Sequence, residues 1–371
     1  MSQESAPAAA AAAAADSSVP SPCKHDEARD DANKQLAVCP ILRIPRFDDW
    51  HLHLRDGAAL PEYVWASAQR CRRALVMPNL APPVTTTAAA LAYRARILAA
   101  LAAAAARRGL AAPPPFTPLM TLYLTEATTA EEIALAARSG AVVAAKLYPA
   151  GATTNAAQGV RDIARLDPVL RAMARAGLVL CVHGETTDPA TDVFDREAQF
   201  IATVLVPLLA RHPRLHVVME HVTSAAAVAL VDADTVPANT QTPTQTHAAG
   251  ASSAGANAAS SCSSVPIAGR VAATITPQHM LFSRNALFLG GKLRPHAYCL
   301  PVYKTERDRW AVAGAAAGTG VRHPERFFAG TDSAPHAIDA KCKKKHTTSS
   351  FKLLYSQYPC YIPQKNGFAY L

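Results

Sequence analysis

Eight apolar runs of strand length, most of them separated by helical segments, do most to narrow the folds open to this chain. They lie at residues 49–54, 74–77, 117–122, 143–148, 178–182, 215–220, 272–276 and 326–330. Between them, residues 86–110 are alanine-rich, with Tyr93, Ile97 and Leu101 on one stripe and Gly109 near the end, the pattern of an amphipathic helix and its stop. Thr128 and Glu131 read as a capping box ahead of Ile133, Leu135 and Ala136, and Gly140 follows as a stop. Residues 194–211 give a further long amphipathic segment, with a kink expected at Pro207. Strands that alternate with helices form parallel sheets, and eight is the number that closes a barrel. An open doubly wound sheet is the alternative, but the glycine-rich phosphate turn it usually carries is missing. The prediction is therefore an α/β fold, a (β/α)8 barrel.

The barrel is expected over residues 41–336. Within it, residues 233–268 are mostly Ala, Thr, Ser, Asn and Gln, and read as a flexible low-complexity insertion on a surface loop. Without it the domain shrinks to roughly the 250 residues usual for such a barrel. Residues 1–40 open on an alanine run and continue with Ser, Pro and mixed charge. This segment reads as a disordered extension. A secretory signal is excluded because no charged region precedes the alanines, and the acidic residues Glu4, Asp16, Asp26, Glu27, Asp30 and Asp31 disfavour a mitochondrial transit peptide. Residues 337–371, with six lysines against one aspartate, read as an atypical, poorly ordered basic tail.

The formal net charge of +9 would suit nucleic acid, but no aromatic–basic interleaving accompanies it. An anionic small molecule fits as well. No run approaches a membrane span, so the chain reads as soluble. The eight cysteines include no C-x-x-C pair, and Cys181 and Cys299 sit in apolar runs. They read as buried free thiols in a reducing compartment, with a cytoplasmic location expected and an organelle left open.

The residues capable of chemistry gather at the carboxyl ends of the predicted strands. His51 and His53 are two apart on the first, so both point to one face and can share a metal ion. Taken alone, such a pair is as readily two hydrogen-bonded histidines. Arg55 lies on the same side, where a cation suits an anionic substrate held over a metal. Asn79 follows the second strand, Lys146 lies inside the fourth, and His183, His221 and Asp332 end the fifth, sixth and eighth. Singly, each has a dull explanation as a loop residue or helix cap. Lys146 is the hardest to dismiss, because a lysine in an apolar strand must be paired, deprotonated or modified. Four histidines, an aspartate and a lysine could serve two metals, the lysine bridging them if its amine had reacted with carbon dioxide.

These residues resemble dihydroorotase of the single-function bacterial and fungal type (class II), within the amidohydrolase superfamily. The resemblance runs from about Asp48 to His336, and is carried by D-D-W-H-L-H-L-R-D-G, V-M-P-N-L-A-P-P-V-T-T, A-A-K-L-Y-P-A-G-A-T-T-N, V-H-G-E, F-D-R-E-A-Q-F-I, A-T-I-T-P-Q-H, R-P-H-A-Y-C-L-P and G-T-D-S-A-P-H. It implies two zinc ions: His51, His53 and Asp332 on the more buried one, His183 and His221 on the other, with carboxylated Lys146 and a hydroxide bridging them. Arg55, Asn79 and His336 would hold the substrate carboxylate, the backbone of Leu300 would read the ring, and Thr153 and Thr154 would lie on a loop closing over it. The implied reaction is reversible ring closure of N-carbamoyl-L-aspartate to L-dihydroorotate in pyrimidine synthesis, with Asp332 moving the proton. A homodimer is implied as well.

After His336 the sequence departs from the family pattern. The expected substrate loop and C-terminal helices are replaced by the Lys341–Lys345 basic run and a short tail. The expectation from this is a barrel lacking its C-terminal helical part, aggregation-prone and weak in activity. Two readings stand beside dihydroorotase. A dihydropyrimidinase or hydantoinase would use the same metal ligands on rings without a carboxylate. A truncated, non-catalytic chain would fold poorly or serve a full-length partner.

Overall fold

The computed structural model describes residues 44–237 and 264–336. The barrel falls within one compact unit, Arg46–Leu371; of the other, Met1–Pro45, only Ile44 and Pro45 are described. The expectations for residues 1–40 and 337–371 therefore lie outside the described residues.

All eight predicted strands form, as β1 (Phe47–Leu52), β2 (Cys71–Val76), β3 (Thr117–Tyr123), β4 (Val142–Leu147), β5 (Val179–Val182), β6 (Val217–Met219), β9 (Val271–Ile275) and β10 (Phe327–Ala329). They make one parallel sheet in the order β1-β2-β3-β4-β5-β6-β9-β10. Its two ends meet: Asp332 N donates to His51 O at 2.9 Å, and His53 N donates to Ser333 O at 3.0 Å. Lower down, the Asp49 carboxylate accepts from Thr331 N at 2.8 Å and Thr331 Oγ1 at 2.6 Å. The barrel closes through these residues, just beyond β10 proper. Gly330 is required there. A Cβ on it would lie 2.8 Å from His51 Cβ and 2.9 Å from Thr274 Cβ, a separation no side chain tolerates.

Helices cover the outer face. Thr87–Ala106 starts where Thr86 accepts from Ala89 N at 3.2 Å, and buries Tyr93, Ile97 and Leu101. Against the expectation that no run approaches a membrane span, this is the one described helix long and apolar enough to cross one, but its apolar stripe packs into the barrel core. The next helix, Ala130–Arg138, corrects the predicted cap by one residue. Thr129 accepts from Glu132 N, while Thr128 Oγ1 is engaged by Thr125 N. The segment expected to kink at Pro207 passes from α-helix (Arg196–Phe200) through a π turn (Ile201–Leu205) to Val206–Arg211. The irregularity lies in the turn before Pro207, where the proline lacks an N–H to donate and its ring crowds the carbonyl four residues back.

The insertion has an ordered base. Two short strands, β7 (Thr235–Pro237) and β8 (Ser264–Pro266), pair antiparallel, and Val236, Val265 and Ile267 are buried in the main core. The reading of all of 233–268 as a surface loop is corrected at both ends, because these three apolar side chains have a core within reach. Residues 238–263 lie outside the described residues.

Inside the barrel, Leu75, Met77, Ala144 and Cys181 form a buried apolar layer. Strand side chains repeat every second residue. Two residues beyond Met77, Ala144 and Cys181 come Asn79, Lys146 and His183. The same face that is greasy at the bottom is polar at the top.

Candidate active site

His51, His53 and Asp332 converge. Their Nε2 and Oδ1 atoms stand 3.3 Å (His51–His53), 3.5 Å (His51–Asp332) and 3.1 Å (His53–Asp332) apart. The other ring nitrogens determine what these atoms can do. His51 Nδ1 donates to Glu220 Oε2 at 2.6 Å, and His53 Nδ1 donates to Asn79 Oδ1 at 2.7 Å. In a neutral imidazole that leaves Nε2 as a lone pair. Two imidazole lone pairs and a carboxylate oxygen then face one another, all three within one ligand sphere. Such a set needs a cation at its centre, and the outer hydrogen bonds are those that orient metal-binding histidines. Burial favours the uncharged ring, holding the His53 pKa down to about 4. Burial alone would raise Asp332, but the adjoining His53, His51 and Lys146 side chains hold it well below the usual carboxylate range.

A second group adjoins the first. The His51 and His221 ring centres are 5.0 Å apart, and those of His183 and His221 4.8 Å. His183 Nε2 donates to Glu185 Oε2 at 2.9 Å. Its Nδ1, the Nδ1 of His221 and the Nζ of Lys146 are buried without a hydrogen-bond partner among the described residues. Three orphaned nitrogens in one buried place would be costly, and an electrophile that accepts their lone pairs removes the cost. Lys146 is fully buried, and burial lowers its pKa. That favours the free amine, the form that reacts with carbon dioxide. The donor set fits a pair of metal ions bridged by a modified lysine.

The backbone is bent to present these groups. Among the described non-glycine residues, positive φ occurs at Arg55 (56°), Asn155 (58°), His221 (43°) and Asp332 (48°). Three of the four are predicted site residues. Such strain persists only where surrounding contacts over-determine it. For His221 the contact is Thr274 Oγ1, which accepts from its N–H at 2.7 Å and itself donates to Glu220 at 2.6 Å. For Arg55 it is the buried Tyr93, whose hydroxyl donates to Arg55 O at 2.5 Å.

Arg55 and His336 also come together, with Nη2 3.1 Å from Nε2, and Arg55 Nε donates to Pro335 O at 3.4 Å. Asn79 sits behind His53 and reaches the loop after β4, donating to Thr154 O at 3.2 Å, while Asn155 donates to Asn79 O at 2.9 Å. Among the described residues no hydrogen bond joins Leu300 or Thr153 to the histidines. Glu220, Thr274, Glu185 and Lys304 were not singled out as site residues from sequence, although all four are buried. The available signal was a carboxylate beside each of two strand-end histidines, in M-E-H and V-H-G-E.

A parallel barrel with histidines, a buried lysine and an aspartate at the carboxyl ends of its strands defines a metal-dependent hydrolase of the amidohydrolase class, and the amidohydrolase family profile matches residues 44–355. The match extends past His336, beyond the expected end of the resemblance. A dihydroorotase from Cupriavidus necator is 52% identical over 301 residues, covering 81% of this chain and 74% of the relative. The mitochondrial dihydroorotase of Arabidopsis thaliana is 49% identical over 309 residues, covering 83% of this chain and 70% of the relative. The crystal structure of dihydroorotase from Campylobacter jejuni superposes with a TM-score of 0.61 at 32% identity, over 79% of this chain and 70% of that one. The chain belongs to the dihydroorotase family of amidohydrolases.

Proposed function

We propose that this chain hydrolyses and closes a cyclic amide bearing a carboxylate, interconverting L-dihydroorotate and N-carbamoyl-L-aspartate in pyrimidine synthesis. The observation that carries the substrate class is the Arg55–His336 pair, placed beside the His51, His53 and Asp332 cluster. A guanidinium and an imidazole side by side make a fork for a carboxylate. Gripping the carboxylate there would orient the ring amide toward the cluster and remove much of the entropy cost of the reaction.

His51, His53 and Asp332 would hold one zinc, His183 and His221 a second, with carboxylated Lys146 between them. Bound metals would supply a nucleophilic water at neutral pH and polarise the amide carbonyl. Asp332 is held as a carboxylate at neutral pH, so it can accept the proton of the attacking water and return it to the departing ring nitrogen. Asn79 fixes His53 and, through Thr154 and Asn155, ties the metal cluster to the loop after β4. That loop would close over the substrate, with Leu300 reading the ring.

The same proposal includes a homodimer, testable by light scattering, and a reducing compartment, supported by the buried free thiols Cys71 and Cys181. A relative in Arabidopsis is named mitochondrial, so an organelle stays within the proposal beside the cytoplasm. The deciding experiment compares turnover of dihydroorotate with that of dihydrouracil, which lacks the carboxylate. Equal turnover of both would defeat the role given to Arg55 and His336.

A further inference from the structure

Behind the second histidine pair lies a buried ion pair that the chemistry above does not use. Glu185 and Lys304 are 2% and 4% exposed. Lys304 Nζ stands 3.7 Å from Glu185 Oε1, and Glu185 Oε2 takes the N–H of His183 Nε2 at 2.9 Å. Among the described residues Glu185 Oε1 has no hydrogen bond of its own, and Lys304 is the cation that compensates it. Lys304 is itself well fixed. Its Nζ donates to Val302 O at 3.2 Å, and its backbone carbonyl accepts from Arg284 N at 2.7 Å. Three residues earlier, Pro301 O accepts from His279 Nε2 at 3.0 Å.

A lysine and a glutamate are costly to bury, and a buried pair adds little to stability compared with apolar side chains of the same size. Its retention here calls for another use. The carboxylate can only accept, so its bond to Nε2 fixes the tautomer of His183 and leaves Nδ1 as the lone pair. Nδ1 is the atom left without a partner. Lys304, reaching from the segment after β9 to the loop after β5, holds that carboxylate in place.

We infer that Lys304 is a positioning residue for the second metal: through Glu185 it fixes the ring and tautomer of His183 that leave the Nδ1 lone pair for the ion. The inference rests on the two-metal reading of this site. It assigns to the 300–304 segment, which also contains Leu300, a part in building the metal centre.

Zinc titration of the full chain, with elemental analysis after gel filtration, tests it. The wild type should take up two zinc ions. Lys304→Met should keep the first at wild-type affinity and bind the second about tenfold more weakly, the low end of the loss seen when the direct outer partner of a ligand, here Glu185, is removed. Glu185→Gln/Lys304→Met removes both charges but keeps an acceptor opposite Nε2, so it should recover the second zinc to within severalfold of wild type. A merely structural role for Lys304 would not give that recovery. Second-zinc affinity unchanged in Lys304→Met, or no better in the double variant than in the single, overturns the inference. A wild-type chain that takes up fewer than two zinc ions overturns the two-metal reading, and this inference with it.

Discussion

Glu220 Oε2 lies 2.6 Å from His51 Nδ1, and this bond selects the nitrogen that His51 presents to His53 and Asp332. The carboxylate is fully buried. Burial works to raise its pKa, but His51 and Lys146 hold it down, so it remains an acceptor. Glu220→Ala should therefore release His51 to either tautomer and weaken binding of the first zinc about ten- to a hundredfold. Metal titration by competition with a chelator reads this directly. Unaltered affinity for the first zinc would show that the ring is oriented by something else.

Lys146 is fully buried and has no hydrogen-bond partner among the described residues. Lys146→Ala should lose most of the bound metal and nearly all turnover, and a short carboxylic acid added to the buffer should restore part of both by occupying the place of the carbamate. Mass spectrometry of the native wild-type protein should show the added carboxyl group. Full retention of two zinc ions by the alanine variant would rule out the bridge.

Arg55 is held at positive φ with its carbonyl bonded by Tyr93. Arg55→Met should leave zinc content and melting temperature near wild type while removing most activity, since losing one partner of a buried charge-assisted contact costs about 2–5 kcal/mol. Tyr93→Phe deletes only the bond that holds the Arg55 backbone. It should raise KM for dihydroorotate several-fold with kcat changed less. Loss of zinc in either variant would make these residues structural.

The sequence made the barrel legible because a strand buried on both faces has to be apolar along its length, and each of the eight runs became a strand. The metal ligands were legible because a polar residue ending such a run is conspicuous, and Lys146 most of all. Their partners were harder to find. His51 and Glu220 are 169 residues apart, and Arg55 and His336 are 281 apart; only barrel closure brings them within bonding distance. The helix cap was misplaced from Thr129 to Thr128 because adjacent threonines are chemically equal and only the backbone decides which one caps. Val236 and Val265 were absorbed into the insertion because two isolated valines in a polar, low-complexity stretch carry no periodicity.

That last correction separates two deletions that composition alone would treat alike. Joining Pro237 to Ser264 through a short Gly/Ser turn removes residues 238–263 and leaves the β7–β8 ladder intact. Loop-closure entropy changes slowly with length, so this variant should match wild type in melting temperature and turnover. Removing 233–268 also takes away Val236, Val265 and Ile267, which are 8%, 6% and 0% exposed. Each buried apolar side chain contributes about 1.5–3 kcal/mol, so the longer deletion should cost several kcal/mol. It also takes Asp234, to which Arg326, at the foot of β10, donates at 2.8 Å. Denaturant unfolding of the two variants side by side decides the matter. A stable longer deletion, or an unstable shorter one, would mean that the ladder is not what joins the insertion to the core.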